Sequence, residues 1–226
     1  MTAGPTEREP VAIVGIGCRF PSSKGPSGYW RSLCEGKDTI GPIPKDRWDA
    51  DELFDPDPTK RGKMVTRSGG FLDDIRGFDW RAFRVSPREA KYMDPQHRLL
   101  LEVAWEALED AGIPFEKIAG SRTAVFVGVM WNDYARLQTP DLDSIDGYSA
   151  SGNAFAFAAN RISFFFDLKG PSAALDVSCA SSLMAVHLAC ESIWSGESAM
   201  AIAGGVNLII APDCVVAMSK AGSMPC

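Results

Sequence analysis

Cys179 is the residue whose type and position are best suited to chemistry. It stands in the stretch GPSAALDVSCASSLMAVHLAC at residues 170–190, where a short strand predicted over 173–177 leads almost directly into a helix predicted over 179–194. A cysteine in the first turn of a helix meets the positive end of the helix dipole and unpaired backbone N–H groups. These favour the nucleophilic thiolate and can stabilise an oxyanion during acyl transfer. The spacing alone leaves an alternative open, in which Cys179 is a small buried residue of the core.

The chain contains only two histidines that could act as a base beside this cysteine, His97 and His187. His97 stands at the head of a predicted helix, where a structural role is favoured. His187 follows Cys179 on the same predicted helix, about 12 Å along its axis, so we do not expect it to reach the thiolate. A cysteine thioesterase is therefore a weak alternative, because no basic partner for Cys179 is visible.

Other patterns in the chain favour no metal and no bound cofactor. The six cysteines include no CxxC pair, which argues against a zinc site or a disulfide framework. The GIG sequence at residues 15–17 lacks the third glycine of a dinucleotide fingerprint, because Phe20 takes its place. The carboxylates of residues 49–57 are separated by prolines and favour a solvated loop. Trp131 and Tyr134 follow a predicted strand and either line an acyl channel or pack in the core.

Alternating strands and helices must position the cysteine. Apolar runs predict buried strands over residues 11–16, 123–130, 173–177 and 200–208. Helices are predicted from Pro95 to just before Gly112, over 152–163 and over 179–194, and the proline-rich region 42–58 is predicted to be a long surface excursion without regular helix. This order indicates an α/β fold with a mostly parallel sheet between helices.

Composition limits the classes of partner and compartment. The 226 residues are 46% hydrophobic and 23% charged, with a net charge of −6, so a nucleic-acid binder and a polybasic membrane anchor are both disfavoured. The longest apolar run, over residues 199–211, is too short to span a membrane. No signal peptide is apparent at the first residues, and we expect a reduced, cytoplasmic, soluble protein.

Several segments resemble one enzyme family in the same order along the chain. DVSCASSL at residues 176–183 resembles the active-site cysteine motif of β-ketoacyl synthases, the condensing domains of polyketide and fatty-acid synthases. EPVAIVGIGCRFP at 9–21, GPIPKDRWD at 41–49, the segment at 68–113 that contains DPQHR, ANRISFFFDLKGPS at 159–172 and AGGVNLI at 203–209 resemble the same family. The segment around DPQHR is similar to the modular polyketide type.

The resemblance implies a thiolase-like layered fold (αβαβα), of which we expect this chain to hold the amino-terminal half only. The expected organisation is an N-terminal arm at residues 1–8, the synthase half at 9–222 and a non-family tail at 223–226. In the family, the second half supplies a histidine in HGTGT, a lysine and a histidine in NIGH, and none of these motifs occurs here.

The resemblance also implies a reaction and its partners. Cys179 would accept an acyl group from the phosphopantetheine arm of an acyl carrier protein and then take part in decarboxylative condensation with a malonyl-type extender. A homodimer is implied for the complete family domain. The alternative is a shortened fragment that only acylates itself, or that serves as an interaction or complementation partner for a second-half chain.

Overall fold

The computed structural model describes residues 8–224. These residues form helices, two small two-stranded sheets and one three-stranded parallel sheet. The strands within this range are β1 Arg19–Phe20, β2 Ser23–Lys24, β3 Gly41–Pro42, β4 Ser68–Gly69, β5 Thr123–Val129, β6 Ser172–Leu175 and β7 Met200–Val206. The helices are α1 Gly25–Cys34, α2 Ala50–Leu53, α3 Pro87–Tyr92, α4 Pro95–Asp110, α5 Phe115–Ile118, α6 Asp133–Gln138, α7 Ser149–Asn153, α8 Ala156–Phe165, α9 Ser181–Trp194 and α10 Asp213–Lys220, with a 3₁₀-helix over Leu142–Ser144. Most of the predicted arm at 1–8 and half of the predicted tail at 223–226 lie outside the described residues.

The chain forms two compact units. Unit 1 contains residues up to 17, 100–130 and 154–206, and unit 2 contains 18–99, 131–153 and the residues from 207 onward. Helix α4 begins in unit 2 and continues in unit 1. Its predicted boundaries are confirmed: Pro95 is the first helical residue, and Gly112 follows its end with a φ of 63°, a backbone conformation that favours glycine.

Unit 1 is built on a three-stranded parallel sheet in the order β6-β5-β7. The central strand β5 is buried along its whole length, as its continuous apolar sequence predicts. Helix α8 packs on β5 and β6, and α9 packs on β5 and β7. Ala124 and Phe126 of β5 form a buried cluster with Ala185 and Ala189 of α9. The prediction of an α/β fold with a parallel sheet is confirmed.

The strand predicted over residues 11–16 is wrong. This segment pairs with no strand among the described residues, and the side chain of Ile13 is 82% exposed. It lies instead against α4: the Ile16 N–H donates to Asp110 Oδ2 at 2.9 Å, and a Cβ on Gly15 would stand 2.2 Å from the Ala107 carbonyl oxygen. An apolar run predicts burial, but a strand also needs a neighbour with which to form a ladder.

The hydrophobic core of unit 2 includes residues from a region that was predicted to lie on the surface. Ile43 and Trp48, within the proline-rich region 42–58, are buried together with Met64 and Val215. The short helix α2 also interrupts this region, and Asp49 caps it by accepting from the Asp51 and Glu52 N–H groups. The prediction of a helix-free surface excursion is therefore wrong, because prolines exclude long helices but not buried anchors.

The helix predicted over residues 152–163 is two helices, α7 and α8. The Gly152 carbonyl accepts the Asp94 N–H at 2.9 Å, and a Cβ on Gly152 would stand 2.1 Å from the Tyr92 carbonyl oxygen. The chain comes this close to Tyr92 only because residue 152 lacks a side chain. The apolar periodicity of the segment continued across the break and concealed it.

Candidate active site

Cys179 lies in the tight turn between β6 and α9 in unit 1, and its side chain is exposed. The helix starts at Ser181 with Ala180 as its N-cap, two residues later than predicted, so Cys179 precedes the first helical turn rather than belonging to it. The turn follows the carboxyl end of a parallel strand, the edge at which open α/β sheets bind ligands. The exposure argues against the alternative in which Cys179 is a buried core residue.

A left-handed residue directly before the cysteine makes the turn sharp. Ser178 has a φ of 58°, which is uncommon for any residue other than glycine. Its N–H donates to Asp176 Oδ1 at 2.9 Å, a bond that closes a local turn. Its hydroxyl oxygen lies 3.9 Å from Cys179 Sγ and 3.5 Å from Met130 Sδ. The Ser178 hydroxyl therefore lies beside the Cys179 thiol and also contacts the Met130 thioether.

Ser181 ties the turn to the start of α9. Its hydroxyl accepts the Val177 N–H at 2.9 Å and donates to the Ser178 carbonyl oxygen at 2.6 Å. The Ser181 N–H also donates to the Ser178 carbonyl at 3.1 Å. These bonds fix the chain on both sides of Cys179. This role of Ser181 was not predicted from the sequence, although serine close to a helix start is a known signal for such local bonds.

Two glycines let the amino end of α9 approach the sheet closely. A Cβ on Gly128 of β5 would stand 2.7 Å from Ser181 Cβ and 2.8 Å from the Ser182 backbone nitrogen. A Cβ on Gly205 of β7 would stand 2.7 Å from Ser182 Cβ. Both distances are far below van der Waals contact, so only glycine fits at either position. The packing of strand against helix thereby sets the height of Cys179 above the sheet edge.

This arrangement can present a thiolate to an electrophile. The thiol is exposed, its backbone is held by hydrogen bonds, and the first-turn N–H groups of α9 follow directly after it. Such N–H groups lack intrahelical acceptors and carry the positive end of the helix dipole. They suit the stabilisation of negative charge on sulfur or on an acyl oxygen.

The two histidines occupy different settings. His97 is buried in unit 2 within the first turn of α4, as its predicted structural role requires. His187 lies on α9 beyond Cys179 with an exposed side chain. The Arg8 side chain donates a hydrogen bond to Glu191 and lowers the pKa of that carboxyl, and the nearby His187 makes a smaller contribution in the same direction.

The DPQHR segment in unit 2 forms a buried polar cluster that was not predicted from the sequence. Gln96 donates from Nε2 to the Trp131 carbonyl at 2.8 Å and accepts the Leu208 N–H at 3.1 Å. Asp94 Oδ1 accepts the Gln96 N–H at 2.8 Å, and burial raises the pKa of Asp94 to about 6. The Asp133 carboxylate accepts two more N–H groups, from Ile210 and Ala211. The cluster therefore joins the segment after β7 to the start of α4.

Tyr134 is part of the same hydrogen-bonded region. Its hydroxyl donates to the Lys91 carbonyl at 2.7 Å and accepts from Arg98 Nη2 at 3.1 Å. Both interactions are structural, whereas the sequence left open a place in an acyl channel. Within residues 8–224 there is no group of three or more residues that could hold a metal ion, and no helix long and apolar enough to cross a membrane.

Comparison with known proteins identifies the family. The family model "Beta-ketoacyl synthase, N-terminal domain" matches residues 8–225. A phenolphthiocerol/phthiocerol polyketide synthase polypeptide of Mycobacterium tuberculosis is 49% identical over 215 residues, which are 95% of this chain and 14% of that protein. A second polypeptide of the same synthase is 46% identical over 217 residues, 96% of this chain and 12% of the relative. The chain thus spans about one seventh or less of the length of these curated relatives.

Solved ketosynthase structures share the fold. The oxazolomycin ketosynthase domain OzmH KS7 of Streptomyces albus superposes with a TM-score of 0.87 at 42% identity, covering 93% of this chain and 37% of that one. The ketosynthase from module 6 of the bacillaene synthase of Bacillus subtilis gives 0.82 at 37% identity, with 93% and 34% covered. The predicted thiolase-like fold and its amino-terminal half are confirmed. The chain belongs to the β-ketoacyl synthase family and is an amino-terminal ketosynthase domain of the modular polyketide synthase type.

Proposed function

We propose that Cys179 is the acyl-accepting nucleophile of a polyketide-type condensing reaction. One observation carries the proposal: the exposed thiol stands in a hydrogen-bonded turn directly before α9, at the carboxyl edge of the parallel sheet. Family membership supplies the reaction class, condensation by a ketosynthase. The site is assigned to this chain because its DVSCASSL segment carries the cysteine that the family motif requires.

The first step is a thioester exchange. The Cys179 thiolate attacks the carbonyl carbon of an acyl thioester carried on the phosphopantetheine arm of an acyl carrier protein. The carbonyl oxygen takes up the negative charge in the tetrahedral intermediate, and donors near the start of α9 are suited to stabilise it. Collapse of the intermediate forms the acyl–Cys179 thioester and releases the phosphopantetheine thiolate, which takes a proton from solvent.

The second step forms the carbon–carbon bond. A malonyl-type thioester loses carbon dioxide, and the electron pair left behind attacks the acyl carbonyl and displaces the Cys179 thiolate. The transient enolate needs hydrogen-bond donors at the extender carbonyl. The family resemblance assigns that role to histidines of the second half, whereas His97 is buried in unit 2 and His187 lies further along α9. We propose that this chain by itself is limited to self-acylation.

The proposed organisation places the synthase half at residues 9–222. The sequence of helix α9 is apolar on most faces, and the helix therefore exposes apolar side chains, among them Leu183 and Val186. Apolar surface of this kind on a helix is suited to cover by another chain or domain. The exposed face supports a homodimer or a complementing second half as the partner of this domain, in addition to the acyl carrier protein.

Intact-mass spectrometry after incubation with a short acyl thioester tests the first step. The expected result is a single acyl adduct on the wild-type chain and on Cys34→Ala, and no adduct on Cys179→Ala. Cys34 is a matched control because its side chain is also exposed. Equal adduct levels in Cys179→Ala and the wild type would refute the assignment of the nucleophile.

A condensation assay tests the proposed limit. The acylated chain is mixed with a malonyl-loaded carrier protein, and the β-keto product is sought by mass spectrometry. We expect the acyl adduct to persist and no β-keto product to form. Product formation by this chain alone would overturn the proposed restriction to self-acylation while leaving the role of Cys179 intact.

A further inference from the structure

A small pocket within unit 2 is lined by an unusual concentration of positive charge. Its volume is about 310 Å³, and its polar walls are formed by Arg47, Arg76, Arg98, Asp46 and Tyr134. This volume is at the small end of the range for ligand sites in proteins. Neither the family assignment nor the proposed acyl transfer uses this pocket.

Arg47 is a buried cation with incomplete pairing. Its side chain is only 4% exposed, and its Nη1 donates to Asp46 Oδ2 at 2.9 Å while Nη2 donates to the Leu72 carbonyl at 3.2 Å. Its buried Nε has no hydrogen-bond acceptor among the described residues. Arg76 forms an ion pair with the same carboxylate, with Nη2 at 3.2 Å from Asp46 Oδ2. One carboxylate therefore serves two guanidinium groups.

Arg98 adds a second buried guanidinium, which is bound to neutral acceptors. Its Nε and Nη2 donate to the Met93 carbonyl at 2.9 and 2.6 Å, and Nη2 also donates to the Tyr134 hydroxyl at 3.1 Å. None of these three bonds uses Nη1. No carboxylate within the described residues lies within ion-pair distance of this guanidinium. Arg98 is thus oriented by hydrogen bonds and forms no direct ion pair; burial raises the pKa of the neighbouring Asp94 carboxyl, and the Arg98 charge partly offsets that increase.

We propose that this pocket binds the phosphate group of an organic phosphate monoester. Three guanidinium groups and one carboxylate among the lining side chains leave a net charge of +2. A phosphate monoester carries nearly −2 at neutral pH, whereas a carboxylate carries only −1. Guanidinium groups also match the geometry of phosphate oxygens. Ile75, Leu137 and Ile210 line the remaining wall and can contact an apolar organic group attached to the phosphate.

Isothermal titration calorimetry tests the proposal. The full chain is titrated with phenyl phosphate in phosphate-free buffer at pH 7.5. The expected result is saturable binding that Arg76→Gln weakens about threefold to tenfold, the loss expected for one partly exposed charged donor. Arg76 is the variant of choice because its side chain is 73% exposed and its replacement leaves the core of unit 2 intact. Arg61→Gln, which removes an exposed arginine outside the pocket, is the matched control and is expected to bind as the wild type does.

Two further titrations define the ligand class. Inorganic phosphate is expected to bind more weakly than phenyl phosphate, and Leu137→Ser is expected to reduce that difference. Benzoate, with the same ring and a single charge, is also expected to bind more weakly. Absence of saturable phenyl phosphate binding, or an equal loss in Arg61→Gln and Arg76→Gln, would overturn the site. Equal affinity for inorganic phosphate, phenyl phosphate and benzoate would overturn the assigned ligand class.

Discussion

Replacing Gly128 with alanine tests whether the contact between β5 and α9 positions the nucleophile. The new Cβ would stand 2.7–2.8 Å from Ser181 Cβ, the Ser181 carbonyl carbon and the Ser182 backbone nitrogen. Carbon atoms normally pack at about 3.5–4.0 Å, so the start of α9 must retreat by about 1 Å. Overpacking of this kind costs about 1–3 kcal/mol. For a chain of this size, a loss of about 2 kcal/mol lowers Tm by about 4–8 °C.

The same displacement is expected to slow acylation. A shift of about 1 Å in a reacting group costs on the order of a hundredfold in rate, so Gly128→Ala should acylate at least tenfold more slowly than the wild type at a temperature where both are folded. Gly204→Ala is the matched control: it adds the same methyl group to strand β7 of the same sheet, where nothing lies within 4 Å. The control is expected to keep the wild-type rate and to gain up to about 1 kcal/mol.

The measurements are thermal unfolding and the rate of adduct formation from intact mass. If Gly128→Ala and Gly204→Ala unfold at the same temperature, the close approach of β5 to α9 does not constrain the fold. If Gly128→Ala is destabilised but acylates at the wild-type rate, the contact holds the helix without positioning Cys179. Either result would refute the argument that glycine at this position sets the height of the thiol.

Two further predictions concern other parts of the chain. Ser181→Ala removes both hydroxyl hydrogen bonds that close the turn, so it is expected to lower the free energy of unfolding by about 1–2 kcal/mol and to slow acylation in the mass assay. The neighbouring Ser182→Ala is the control and should change neither the stability nor the acylation rate. Equal effects of the two substitutions would contradict the turn-closing role of Ser181. Burial raises the pKa of Asp94 to about 6, so the neutral carboxyl stabilises the fold below pH 4, and that stability is lost as pH rises through 6. The free energy of unfolding of Asp94→Asn relative to the wild type should rise by about 2 kcal/mol from pH 4 to pH 7 in urea titrations, and a pH-independent difference would contradict this sign.

The elements that the sequence predicted correctly have local signals. Helix α4 begins with a proline and ends before a glycine of positive φ, and β5 is a continuous apolar run in the middle of a parallel sheet. The segment at 11–16 has the same kind of apolar run but lies against α4, because no neighbouring strand is present among the described residues. Strand formation depends on a partner distant in sequence, and a single sequence does not reveal that partner.

In the candidate site, too, some features could be predicted from the sequence and others could not. A cysteine between a strand and a helix was visible from residue type and pattern. The left-handed φ of Ser178, the bonds of the Ser181 hydroxyl and the close approach at Gly128 were not visible. Each depends on which groups meet in three dimensions, and Gly128 lies inside the predicted strand 123–130 with no sequence signal that marks its close contact with a helix.

The small residues at and after the turn differ in burial, and only some of them pack against the sheet. Ser181, Ala185 and Ala189 follow one another at intervals of four and form the buried face of α9 toward the sheet. Cys179 precedes this face, and its side chain is exposed. The role of small core residue, which the sequence left open for Cys179, is therefore filled by its neighbours. A left-handed residue costs about 1–3 kcal/mol and persists only where its surroundings enforce it. Here the hydrogen bonds from the Ser178 N–H to Asp176 and from Ser181 to both sides of the turn hold Ser178 in that conformation, directly before the exposed thiol of the proposed acyl transfer.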